Sequence, residues 1–156
     1  MNTNEPVKIL FRYHSAALEE VIVETMWADV IDEAQGLYKL NSIPFYGPPV
    51  ASGDIFFAEY DESEQMLTYQ KTIQCSGNSI VQVVLMDASK EINETRKIFE
   101  DMGCQSEKVN ERYFAMEILS TTDYAPIKKK LALMEEQELL SYAEPCLSEK
   151  HRLESI

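Results

Sequence analysis

Glycine is scarce in this chain, with five in 156 residues at Gly36, Gly47, Gly53, Gly77 and Gly103. A phosphate-cradling loop needs clustered glycines whose N–H groups point at the ligand from a helix start. These five stand too far apart for a G-x-G-x-x-G or Walker pattern, so no nucleotide cofactor is expected. Cysteine is rare as well: Cys75, Cys104 and Cys146 are odd in number, widely spaced and never in a C-x-x-C pair. That spacing argues against a disulfide framework or a zinc site and for a reducing compartment, hence a cytoplasmic location. Cys75 and Cys104 lie in or beside apolar strands and read as small core residues.

Histidine is limited to His14 and His151, without an H-x-x-x-H or H-E-x-x-H spacing, so no metal is expected. His14 and Ser15 are neighbours on a strand and point to opposite faces, which places them badly for sharing a proton. His14 therefore reads as an exposed loop residue, and His151 falls in a polar tail. No apolar run approaches the roughly 18 residues of a membrane span. The first residues, MNTNEPVKILFRYHSAALEE, lack the basic-then-apolar order of a secretory signal. Basic residues are the last shortage: 14 Lys plus Arg stand against 27 Asp plus Glu, a net charge of −13. Residues 1–80 carry −8 of it and residues 81–156 carry −5. Such a surface repels polyanions, so neither nucleic acid nor an anionic membrane is an expected partner, whereas a basic protein is.

What is present is an ordinary globular composition, 45% hydrophobic and 26% charged, at the length of one domain. The expected organisation is a single domain over 1–156, with a β-rich half (1–79), a second half (80–147) and a polar tail (148–156). Short strands are expected at Val7–Tyr13, Val21–Ile31, Leu37–Leu40, Ile55–Tyr60, Met66–Cys75 and Ile80–Met86, separated by turn signals. In the second of these, Val21, Val23, Thr25 and Trp27 share one parity. Ser76-Gly77-Asn78-Ser79 reads as a hairpin that carries one sheet into the second half.

From residue 87 the period changes. Asp87 or Ser89 can cap a helix running to Met102, with Ile92, Thr95 and Phe99 at helical spacing. Strands follow at Cys104–Lys108 and Tyr113–Leu119. Thr121, Thr122 and Asp123 offer caps for a helix to Gln137, whose Pro126 falls in its first turn. A closing strand covers Leu139–Ala143. The predicted class is α+β: a small curled antiparallel sheet or partial barrel, continuous with a ferredoxin-like β-α-β-β-α-β half.

Several stretches look familiar: ETMWAD (24–29), LYKLNSIPFY (37–46), SGDI (52–55), DYAPI (123–127) and YAEPCL (142–147). Together they resemble a bacterial family known as domain of unknown function 4265. The resemblance runs from about Glu24 to Leu147 and implies no catalytic residues. The same residues also have an architectural reading. Trp27 and Phe45 would anchor the core, Asn41 and Pro44 a turn, and Asp123 with Pro126 a helix start.

The inventory of an active site is missing, so no enzyme is expected; with 27 acids some close carboxylate pair is inevitable and unspecific. Two features suit a partner instead. One is the EYDESE tip with Glu59, Tyr60, Asp61, Glu62 and Glu64, joined by Asp29, Asp32 and Glu33 if two turns are neighbours. The other is the IPFYGPP segment, with Phe45 and Tyr46 among stiffening prolines. The expected function is a non-catalytic binding protein, an immunity protein neutralising a basic nuclease toxin. The alternative is a small-molecule sensing module.

Overall fold

The computed structural model describes residues 5–15 and 19–155. The chain divides into two compact units, Met1–Ser76 and Gly77–Ile156. Among the described residues no helix is long and apolar enough to cross a membrane.

The first unit is a five-stranded closed barrel of β1 (Val7–Ser15), β2 (Glu20–Asp32), β3 (Leu37–Leu40), β4 (Ile55–Asp61) and β5 (Met66–Gln74). Each strand pairs antiparallel with its successor, so the first and last run the same way. Closure is accordingly parallel, at Leu10 beside Thr68. Five strands enclose a narrow lumen, and side chains fill it. Phe11 stacks on Tyr69 at 5.0 Å between ring centroids and meets Phe56 edge-on at 5.3 Å. Ile9, Met26, Ala28, Tyr38, Leu40, Val50 and Ala58 complete the core.

The core-facing parity of β2 is the one carrying Glu24, Met26 and Ala28. Val21, Val23, Thr25 and Trp27 face outward, and Trp27 is 49% exposed, so it does not anchor the core. A strand's period of two separates its faces without saying which is inside. The turn before β3 needs Gly36: its φ is +71°, and a Cβ there would sit 2.9 Å from the Ala58 carbonyl oxygen.

The second unit contains β6 (Ser79–Leu85), α1 (Ile92–Glu100), β7 (Gln105–Lys108), β8 (Tyr113–Ile118), α2 (Ala125–Glu136), β9 (Leu140–Cys146) and α3 (Glu149–Glu154). Its sheet is antiparallel in the order β7-β8-β6-β9. Ile92 and Phe99 of α1 share one core with Ile127, Leu131 and Met134 of α2 and with Val81, Val83 and Leu85 of β6.

The expected hairpin at Ser76–Ser79 does not form. β5 pairs with β4 and β1, and β6 with β8 and β9, so the segment joins two sheets. Turn composition signals a reversal of the chain, not which strands will pair. Helix caps also differ. Glu91, not Asp87 or Ser89, caps α1 by accepting from Glu94 N at 3.2 Å. Asp87 is engaged earlier, accepting from Ser89 N and Oγ at 2.9 and 2.6 Å. α2 is capped at Tyr124 without a side-chain bond; Glu154 of α3 instead accepts from Tyr124 N at 2.8 Å. The polar tail is therefore structured, and Ser148 caps α3 through His151 N.

Candidate functional site

The turn between β2 and β3 and the tip between β4 and β5 lie at the same end of the barrel. Gly36 O accepts from Ala58 N at 3.0 Å, which ties the first turn to the side of the β4–β5 hairpin. Asp32 and Glu33 are thereby brought to the end that carries Glu59, Tyr60, Asp61, Glu62 and Glu64. Tyr60 is 61% exposed there, as an aromatic contact would require. Asp61 organises the tip: its Oδ1 accepts from Ser63 Oγ at 2.6 Å, Ser63 N at 2.9 Å and Glu64 N at 3.3 Å. The Ser63 hydroxyl, with the Glu64 amide, holds this carboxyl below its usual range. Glu64 pairs with Arg12. Asp32 accepts from Gln35 N at 3.2 Å, and Glu33 and Glu62 are exposed.

Asp29 stands apart from these, back along β2, opposite Lys39 and accepting from Asn41 Nδ2 at 3.3 Å. Phe45 and Tyr46 sit in the connection from β3 to β4, at the other end of the barrel. Phe45 is half-buried, Tyr46 is 52% exposed, and their rings meet edge-on at 6.4 Å.

Sequence reasoning missed the side chains that fix these segments. Glu24 is buried inside the barrel, and its carboxylate accepts from Phe45 N at 2.7 Å and Tyr46 N at 3.2 Å. Burial raises its pKa, against the lowering effect of the two amides. Asp54, also buried, accepts from Ala51 N at 3.0 Å and Ser76 N at 2.8 Å. A charged residue at a core-facing parity of a strand was the available signal, since such a group must find partners.

In the second unit Tyr124 is fully buried and donates to Glu144 at 2.5 Å, while Lys128 Nζ reaches the other Glu144 oxygen at 2.9 Å. Burial foremost, with the Glu144 bond, pushes the Tyr124 hydroxyl far above its ordinary pKa. His151, expected in a polar tail, has no exposed surface. Ser79 Oγ accepts from Ser148 N at 2.8 Å and lies 2.6 Å from His151 Nδ1, while His151 Nε2 lies 2.9 Å from the Thr122 carbonyl. A carbonyl only accepts, so Nε2 carries a proton, and in the neutral imidazole the Ser79 hydroxyl donates to Nδ1. The pair resembles a nucleophile with its base, yet both residues are sealed from solvent and their bonds join α3 to β6. His14 is exposed on β1; the side chain of Ser15 lies outside the described residues. Cys104 is buried as expected and burial pushes its thiol up to about 12, whereas Cys75 is exposed at the end of β5. Among the described residues no group of three or more His, Cys, Asp or Glu side chains could hold a metal.

These clamps connect the stretches that looked familiar in the sequence. Glu24 of ETMWAD holds Phe45 and Tyr46 of LYKLNSIPFY, and Tyr124 of DYAPI bonds Glu144 of YAEPCL. The family model described as Domain of unknown function (DUF4265) matches residues 24–142. The chain belongs to this family. A solved structure, a hypothetical protein from Neisseria gonorrhoeae, is similar in fold, with a TM-score of 0.78. It is 22% identical, and the match covers 94% of this chain and 99% of that one. No curated protein matches the sequence. Several residues of the family-like stretches thus act as hydrogen-bonded braces within each unit.

Proposed function

We propose that this chain is a non-catalytic bacterial binding protein, an immunity protein that neutralises a basic toxin domain by direct contact. The observation that carries the reading is the convergence of Asp32, Glu33, Glu59, Asp61, Glu62 and Glu64 at one end of the barrel. A concentrated negative field raises the encounter rate with a cationic partner by roughly 10–10³-fold, and Tyr60 offers an amphipathic contact among the charges. The reading places the protein in the cytoplasm and gives it no nucleic-acid or membrane partner, because a net charge of −13 repels both. Within Gly77–Ile156 we take the arrangement as ferredoxin-like. The element order β-α-β-β-α-β, the sheet order β7-β8-β6-β9 and the shared core of α1 and α2 support it.

The test is association kinetics against a purified basic nuclease toxin domain encoded beside this gene, measured at two ionic strengths. Replacing Asp61, Glu62 and Glu64 by their amides should slow association and flatten its salt dependence, leaving the far-ultraviolet circular dichroism unchanged. Binding with an unaltered salt dependence would remove the acidic end from the mechanism. Failure to bind that domain at all would remove the immunity function.

A further inference from the structure

The outward face of β2 is apolar where a solvated strand would be polar. Val21, Val23, Trp27 and Ile31 are each about half exposed, between 49% and 57%, with Thr25 and the half-buried Asp29 among them. β-Branched residues suit any strand, which accounts for Val21, Val23 and Thr25 but does not call for an exposed indole. The neighbouring strands add a second pattern. Directly across from this column, β1 places Lys8 opposite Trp27, Arg12 opposite Val23 and His14 opposite Val21. Lys8 Nζ lies 5.2 Å from the centre of the Trp27 ring. On the other flank β3 places Lys39 opposite Asp29. Residues 1–76 hold four Lys and Arg in all, and three of them border this one column, in a unit otherwise rich in acids.

We infer that the outward face of β2, centred on Trp27, is a docking surface for a partner protein segment that carries apolar side chains alongside carboxylates. Charge complementarity selects that occupant. Lys8 and Lys39 stand beside the apolar column, and Arg12 there already donates to a carboxylate, that of Glu64. β2 is paired with β1 from Glu20 to Ala28 and with β3 from Ala28 to Asp32. At Trp27 the backbone N–H donates to Ser42 Oγ and the carbonyl accepts from Asn41 N, so the side chain is what this position offers. Recognition therefore runs through an apolar row and an adjacent acidic row, with Trp27 as the anchor. A continuous anionic bilayer fits less well than a narrow segment, because it would face the whole net charge of −13. A second copy of the chain meets the same repulsion. This surface is distinct from the acidic end proposed above, and its partner has the opposite charge.

The experiment pans a phage-displayed random dodecapeptide library against the immobilised full-length chain, then measures the enriched peptides by titration. Enriched peptides should combine Asp or Glu with Trp, Phe, Leu or Ile. Trp27→Ala should weaken them about tenfold or more, as a central anchor would, and Lys8→Glu should weaken them with reduced salt dependence. Both side chains are exposed, so circular dichroism should be unchanged in either variant. Glu33→Gln/Glu62→Gln, at two exposed positions of the acidic end, should bind these peptides as the wild type does, which separates this surface from the acidic end. Enrichment of basic peptides, undiminished binding to Trp27→Ala, or no enrichment would overturn the inference. So would Trp27-dependent dimerisation in sedimentation, or Trp27-dependent binding to vesicles of phosphatidylglycerol and phosphatidylcholine in equal parts.

Discussion

At Glu24, burial and hydrogen bonding act in opposite directions. Two backbone amides favour the carboxylate, burial disfavours it, and burial prevails, so the pKa is raised. An acid whose folded pKa exceeds its unfolded value binds more protons in the folded state, and its contribution to stability falls as pH rises. The decline begins near the ordinary glutamate pKa of about 4.3 and continues upward through the folded value. Glu24→Gln does not titrate. The difference in urea-unfolding free energy between wild type and this variant should therefore move in the variant's favour between pH 4 and pH 7. A constant difference would refute the account. Glu24→Ala is a harsher change, because it leaves the Phe45 and Tyr46 amides without their acceptor, at a cost of about 1–3 kcal/mol.

The thiols divide by the same logic. At pH 8 a thiol with a pKa of about 12 is ionised in only about one molecule in ten thousand, and Cys104 is also enclosed. Cys75 is exposed. Native protein treated with Ellman's reagent should show a fast phase that is lost in Cys75→Ser, a slower phase from the half-buried Cys146, and reaction of Cys104 only after unfolding. Fast labelling that persists in Cys75→Ser and is lost in Cys104→Ser would contradict the burial of Cys104.

At the scale of elements, α3 shows what the sequence displays and what it conceals. The helix is short and polar, with Leu153 exposed at 64%, so it has no apolar stripe to announce it. At its start Ser148 followed by Glu149 forms an N-cap with an acid in the first turn, a signal that the expectation of a polar tail over 148–156 passes over. Its attachment was not visible, since Ser79 and His151 stand 72 positions apart. His151→Ala should destabilise the second unit by about 1–3 kcal/mol by leaving Ser79 and the Thr122 carbonyl short of partners. Amide exchange should quicken at Arg152 and Ser155, while Leu153→Ala leaves both measurements nearly unchanged. Equal effects of the two substitutions would show that His151 does not hold the helix. Elsewhere the local signals served well. Pro126 and the Ile127, Leu131, Met134 spacing marked α2, and the apolar and turn pattern marked β1 to β6. Pairing did not follow from them, as the unformed hairpin between β5 and β6 shows. Nor did the sidedness of β2, where the more apolar parity faces solvent and a buried glutamate takes the core side. Of the candidate site, the charges were legible and their convergence was not, because it depends on the register of β3 against β4.

For the whole molecule, charge is distributed with contrast, not uniformly. The barrel unit has an acidic end and, along β2, a column bordered by three of its four Lys and Arg. Its manner of closure bears on how the chain is made. Leu10 meets Thr68, so the seam joins the first strand synthesised to the last strand of the unit. Until β5 has left the ribosome, β1 and β4 each expose an unpaired edge of N–H and C=O groups, a template for pairing with other nascent chains. Insertion of β5 pairs β4 along Ile55–Asp61 and meets β1 at Leu10 in the same step. The hazard is confined to an interval of synthesis, ending when Gln74 emerges, and a synonymous codon that stalls translation just before that point prolongs it.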